Sequence, residues 1–242
     1  MSPSDKFRAH GLALRSGRNS LYTLYVVHHG NRESIEVFEF DARAKALTWI
    51  GCAVAPEPVG LNSVVALPDG GFATTNFRPR GAARGRANME AGERNGELWE
   101  WHTATGWTIV PGSEASGANG IEISKDGKWF YMAGWGNQTF IRFSRGQTPV
   151  KRDEISVGFR LDNLRWAPDG LLLGAGQETP AGGAMAVSRV IKIHPTTLKV
   201  QDVIRYPYND VFNFATGAVQ VGKEIWVGSV RGNKIGRFPM AP

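Results

Sequence analysis

Asn62-Ser63-Val64-Val65-Ala66-Leu67-Pro68-Asp69-Gly70 is a polar residue, a short apolar run and a tight turn, and the same phrase returns twice downstream. Asn119-Gly120-Ile121-Glu122-Ile123-Ser124-Lys125-Asp126-Gly127 and Asn163-Leu164-Arg165-Trp166-Ala167-Pro168-Asp169-Gly170 align with it. After each turn comes a second apolar strand, at Phe72 to Thr75, Trp129 to Ala133 and Leu171 to Ala175. His10-Gly11-Leu12-Ala13-Leu14 leading to Leu21 to Val27 fits the template, as does Gly217 to Gly222 leading to Ile225 to Val230. Five units are thus entered at His10, Asn62, Asn119, Asn163 and about Thr216, with steps of 52, 57, 44 and 53 residues.

Third strands are visible at Ile35 to Phe40, Glu97 to His102, Phe140 to Ser144, Val190 to His194 and Lys234 to Phe238. A period of this length with about four strands per unit suits a β-propeller, because one blade alone cannot bury both faces of its sheet. A β-sandwich also has many short strands but no reason to repeat a polar-strand-turn-strand phrase five times. The expectation is one all-β domain over residues 1–242, a propeller of four-stranded antiparallel blades. Residues 1 to 9 either leave the ring short of a blade or add the outer strand of the last unit and close a smaller ring.

With 42% hydrophobic and 21% charged residues the chain can build a core. No apolar run is long enough for a membrane helix, and Met1 to Ala9 is too polar for an export signal, so a cytoplasmic protein is expected. An upstream segment carrying such a signal would make it periplasmic or secreted. Cys52 is the only cysteine, which excludes an internal disulfide and a thiolate metal site. The net charge of +6 raises nucleic-acid binding, but the basic residues are dispersed. Their one concentration, Arg78, Arg80, Arg84 and Arg86, shares a Gly/Ala-rich stretch with Glu90, Glu93 and Glu97 and reads as a solvated loop. Neither nucleic acid nor membrane is expected as a partner.

In a propeller the first strand of every blade lies innermost, and these strands run the same way along the channel. Their leading residues, His10, Asn62, Asn119, Asp162 and Asn163, are therefore expected at one mouth. Loops carrying His28-His29, Arg78 to Arg86, Trp135, Gln177 and Ser229 to Arg231 should rim it. Oxygen donors converging from several strands suit a hard divalent cation such as Ca²⁺. No zinc spacing, P-loop, GxSxG or GxGxxG is present. Each Asn alone is ordinary turn chemistry, and it is their recurrence in one register that points to a site. Strand alternation lets only one of His28 and His29 face inward. Trp135 and Trp166 fit the core or the channel wall better than a substrate platform.

On His10-Gly11-Leu12, Leu24 to His29, Glu33 to Phe38, Leu61 to Leu67, Ala118 to Ile121 with Ser124 to Gly127, and Leu161-Asp162-Asn163, the chain resembles a known superfamily. This is the calcium-dependent six-bladed propeller hydrolases: the paraoxonase/arylesterase group and the senescence-marker-protein/gluconolactonase/LRE-like group. The resemblance runs from about His10 to Phe238. It implies that Asn62, Asn119, Asp162 and Asn163 ligate a catalytic Ca²⁺, and that His10, assisted by His29, activates water. It also implies a first blade upstream of His10 that supplies a glutamate ligand, so a six-bladed architecture short of that blade and carboxylate is expected here. Ser63 stands where paraoxonases have an aspartate for a second, structural calcium, and no such site is expected.

The function expected is hydrolysis of a small neutral or acidic lactone or ester by a metal-polarised carbonyl and His-activated water. Trp135, Gln177 and Arg78 are the expected substrate contacts, the Arg-rich loop offering a partner for a carboxylate. The other reading is a non-catalytic propeller that binds a ligand or a protein partner, favoured by the missing glutamate.

Overall fold

The computed structural model describes residues 6–82, 85–179 and 186–240. Its strands fall into five antiparallel sheets that follow chain order. The first blade holds β1 (Ala9–Ser16), β2 (Leu21–His28), β3 (Ser34–Asp41) and β4 (Ala46–Val54), and the second β5 (Leu61–Ala66), β6 (Phe72–Asn76), β7 (Glu97–His102) and β8 (Gly106–Ile109). The third contains β9 (Ala118–Ile123), β10 (Trp129–Gly134), β11 (Thr139–Ser144) and β12 (Arg152–Ser156). The fourth contains β13 (Arg160–Trp166), β14 (Leu172–Glu178), β15 (Val187–Ile193) and β16 (Val200–Tyr206). The fifth has three strands among the described residues: β17 (Ala215–Val221), β18 (Glu224–Ser229) and β19 (Gly236–Pro239). The β-propeller expected from the repeat is observed.

Hydrophobic burial lies between blades, because each strand presents alternate residues to the two faces of its sheet. Val27 and Ile35 of the first blade pack on Val64 and Phe72 of the second, and Leu98 of the second on Ile121, Phe130 and Phe143 of the third. Tyr131 and Phe140 meet Leu161 and Ile191 across the next interface, and Leu173 and Val190 meet Ala218 and Val227 across the last. Among the described residues no buried cluster joins the fifth blade to the first. Leu12, Leu14 and Trp49 on one side of that opening, and Val219 and Val221 on the other, are exposed.

Residues 6–8 do not complete the fifth blade. The Arg8 amide donates to His28 Nδ1, the Arg8 carbonyl accepts from the His29 amide, and Phe7 stacks on His28. The described part of the N-terminal segment therefore belongs to the first blade; residues 1–5 lie outside the described residues.

Arg78 and Arg80 are exposed outside any helix or strand, as expected, but the later part of the Arg-rich stretch departs from a solvated loop. It forms a short helix, α1 (Gly85–Glu90), whose Met89 is buried; the Met89 carbonyl accepts from Ser116 Oγ, and Glu90 pairs with Arg160 at 2.7 Å. One apolar side chain among many charges was enough to dock the segment on the third blade. Arg84 and the side chain of Arg86 lie outside the described residues.

Candidate functional site

Every inner strand carries a register break near its start. The pairing slips between Ala9 and Leu12, between Leu61 and Val64, between Leu161 and Leu164, and between Ala215 and Gly217, and β9 slips against β10 between Ala118 and Ile121. The residues inside these β-bulges are His10, Asn62, Asn119, Asp162 with Asn163, and Thr216. A bulge turns side chains out of the regular alternation, and here it turns one polar group per blade to a common centre. All six line a single cavity of about 740 Å³, together with Trp135 and Gln177.

The later halves of β1, β5 and β9, with Trp166 of β13, line a second cavity of about 1010 Å³ at the other end of the channel. Inner strands therefore run in one direction. Arg165 and Leu12 border both cavities. The Arg165 guanidinium donates to the Leu12 carbonyl at 2.9 Å and lies 3.6 Å from Glu122, forming a partition across the channel.

His10 Nδ1 lies 2.8 Å from His29 Nε2, and His29 Nδ1 lies 2.8 Å from Glu33 Oε2. The same carboxylate oxygen accepts from the Leu61 amide at 3.0 Å. An ionised carboxylate only accepts, so His29 Nδ1 carries the proton that faces Glu33. In the tautomer in which His29 Nε2 accepts from the His10 Nδ1–H, the lone pair of His10 is on Nε2. Burial, followed by the neighbouring His29, lowers the His10 pKa to about 4, while Glu33 opposes the shift. His10 is consequently neutral near pH 7. His28, by contrast, is buried and accepts from the Arg8 and Gly30 amides, so of the two adjacent histidines only His29 faces the site.

Among the described residues Asp162 is the single carboxylate lining the main cavity. Asn163 Nδ2 donates to its Oδ1 at 2.9 Å and Gln177 Nε2 to its Oδ2 at 3.2 Å; burial still pushes its pKa up to about 7. Asn119 is buried and its Oδ1 has no hydrogen-bond partner. An orphaned buried carbonyl oxygen costs about 1–3 kcal/mol, and a hard cation beside Asp162 would satisfy it. The donor set of Asn62, Asn119, Asp162 and Asn163 thus fits Ca²⁺ in kind. With one carboxylate it fits weakly in charge, which corresponds to a Kd of roughly 10⁻⁴–10⁻³ M. Among the described residues no three His, Cys, Asp or Glu side chains cluster as a metal site.

Gln177 and Trp135 line the cavity as expected, but Gln177 spends its amide on Asp162 and the Ala215 carbonyl. Arg78 lies instead in an adjoining recess of about 560 Å³ with His29, Glu33 and Arg80, joined to the main cavity through His10, Asn62 and Phe77. Sequence reasoning assigned no role to Glu33, Arg160, Arg165 or Thr216. The spacing His29-x-x-x-Glu33 across a short turn was the one available signal for the first.

No protein-family model and no curated protein matches the chain. Solved structures do. A luciferin-regenerating enzyme is similar with TM-score 0.56 and 15% identity over 91% of this chain and 70% of that one. A gluconolactonase from Xanthomonas campestris gives 0.57 and 11% over 98% and 88%. A chain of a nidogen/laminin complex gives 0.60 and 10% over 98% and 77%. At these identities the likeness establishes the fold. Among the described residues no helix is long and apolar enough to cross a membrane.

Proposed function

We propose that this chain is a Ca²⁺-dependent hydrolase of the lactonase/arylesterase type. The observation that carries the reading is the position of His10: it is linked through His29 to Glu33, and it shares a cavity with the oxygen donors Asn62, Asn119, Asp162 and Asn163. Bound there, Ca²⁺ supplies the positive charge that polarises an ester or lactone carbonyl. His10 Nε2 takes the proton of the attacking water, and His29 with Glu33 stabilises the imidazolium that forms. The proton then passes to the leaving alkoxide oxygen as the acyl C–O bond breaks. Trp135 walls the substrate, and Gln177 keeps Asp162 in place.

The gluconolactonase and luciferin-regenerating enzyme among the structural neighbours support a hydrolytic propeller. The test is a panel of lactones and aryl esters offered to purified protein with millimolar Ca²⁺, beside His10→Gln. Opening of at least one substrate by the wild type, reduced about 10²–10⁴-fold in the variant, is expected. No opening above the variant would overturn the reading.

A non-catalytic propeller that binds a ligand or protein is the second reading, favoured by the solitary carboxylate among the described residues of the main cavity. Calorimetric Ca²⁺ binding that disappears in Asp162→Ala would count against it.

A further inference from the structure

Among the described residues three arginines line the main cavity, Arg160, Arg165 and Arg231, and two more, Arg78 and Arg80, line the recess beside it. Three of the five are engaged. Arg160 pairs with Glu90 at 2.7 Å, Arg165 with Glu122 and the Leu12 carbonyl, and Arg80 lies 3.6 Å from Glu33. Arg231 and Arg78 have neither an ion pair nor a side-chain hydrogen bond among the described residues. Arg231 follows β18 of the fifth blade and Arg78 follows β6 of the second.

The seat of Arg231 is built. Its guanidinium carbon lies 3.9 Å from the ring centroid of Phe214, which itself lines the cavity. Phe214 has φ of 52°, a left-handed backbone that is unfavourable for a bulky residue. Two bonds hold that conformation beside the turn: the Val230 amide donates to the Phe214 carbonyl at 3.2 Å, and Ser229 Oγ donates to the Asn213 carbonyl. A guanidinium stacked on a ring keeps its N–H fork fixed and its donors unspent. Such a fork matches the two oxygens of a carboxylate or phosphate, and a concave cavity concentrates its field.

We propose that the cavity selects a small substrate carrying its own oxyanion, a carboxylate or a phosphate, and that Arg231 with Arg78 is the specificity-determining pair that receives it. This rests on the reading of the cavity as the substrate site. Binding can be measured without turnover, using tetrahydrofuran-2-carboxylate and its neutral carboxamide as probes in ligand-observed NMR titrations. The carboxylate should bind about tenfold more tightly to the wild type. That preference should fall to about twofold or less in the Arg78→Gln/Arg231→Gln double variant, and it should weaken as salt rises from about 50 to 300 mM. Equal affinity for the two probes, binding of neither, or a preference intact in the double variant would overturn the proposal.

The lactone pair 5-oxotetrahydrofuran-2-carboxylate and its carboxamide separates this failure from failure of the hydrolase reading. A carboxylate preference in binding without opening of either lactone removes the hydrolase and leaves the anion site. Opening of both at equal kcat/KM removes the anion site and leaves the hydrolase.

Discussion

A methyl group placed on Gly120 would stand 2.6 Å from the Cα of Asn163, so the bulge of the third blade rests directly on the bulge of the fourth. Gly11 meets the second blade in the same way, its missing Cβ lying 2.5 Å from the Asn62 carbonyl oxygen. Small residues after the polar one are what allow the functional side chains to converge. Gly120→Ala should therefore cost about 1–3 kcal/mol in urea unfolding. Gly228→Ala, where no atom lies within 4 Å of the new Cβ, should stay within about 0.5 kcal/mol of the wild type. Equal losses in the two variants would contradict the packing argument.

Glu122 makes stability depend on pH. Burial pushes its carboxyl from 4.5 up to about 7, against the lowering influence of Arg165. With the folded-state pKa raised, its contribution is complete below about pH 4.5 and is lost as pH climbs through about 7. The change amounts to at most about 3 kcal/mol. Asp162 shifts the same way, so the informative quantity is the wild-type stability minus that of Glu122→Gln at each pH. That difference should decline between pH values of about 5 and 8; parallel curves would contradict the assignment.

Glu33 should act on rate through His10. The general base must be neutral, so at saturating Ca²⁺, which holds Asp162 ionised, kcat/KM should rise with pH through about 4 and level off above it. Glu33 raises the His10 pKa, hence Glu33→Gln should move the acid limb to lower pH. It should also reduce the plateau by about 10–10²-fold, as the His29 tautomer is no longer fixed. A lower plateau with an unmoved limb would assign Glu33 a purely structural part.

The inner strands were legible because their signals are local: an apolar run followed by Pro68-Asp69-Gly70 or Lys125-Asp126-Gly127 reads the same in any context. The convergence of His10, Asn62, Asn119 and Asp162 followed from the repeat and is observed in one cavity. The bulges were not legible, since they exist in the pairing between strands and not in either strand alone. Nor was the Arg165 partition, whose acceptor Leu12 is 153 residues away. Glu33 reaches His29 only once the β2–β3 turn has formed. The docked helix α1 was hidden because composition weighs many charges above one methionine, whereas burial of Met89 decides the fold there.

The central claim, that polar groups from successive bulges hold one cation beside His10, is tested most directly by Ca²⁺ titration monitored at the side-chain amides of ¹⁵N-labelled protein. The Asn62, Asn119 and Asn163 NH₂ signals should shift together with a single Kd of about 10⁻⁴–10⁻³ M, and the response should vanish in Asp162→Ala. Shifts confined to surface Asn and Asp, or a response unchanged in that variant, would contradict the claim.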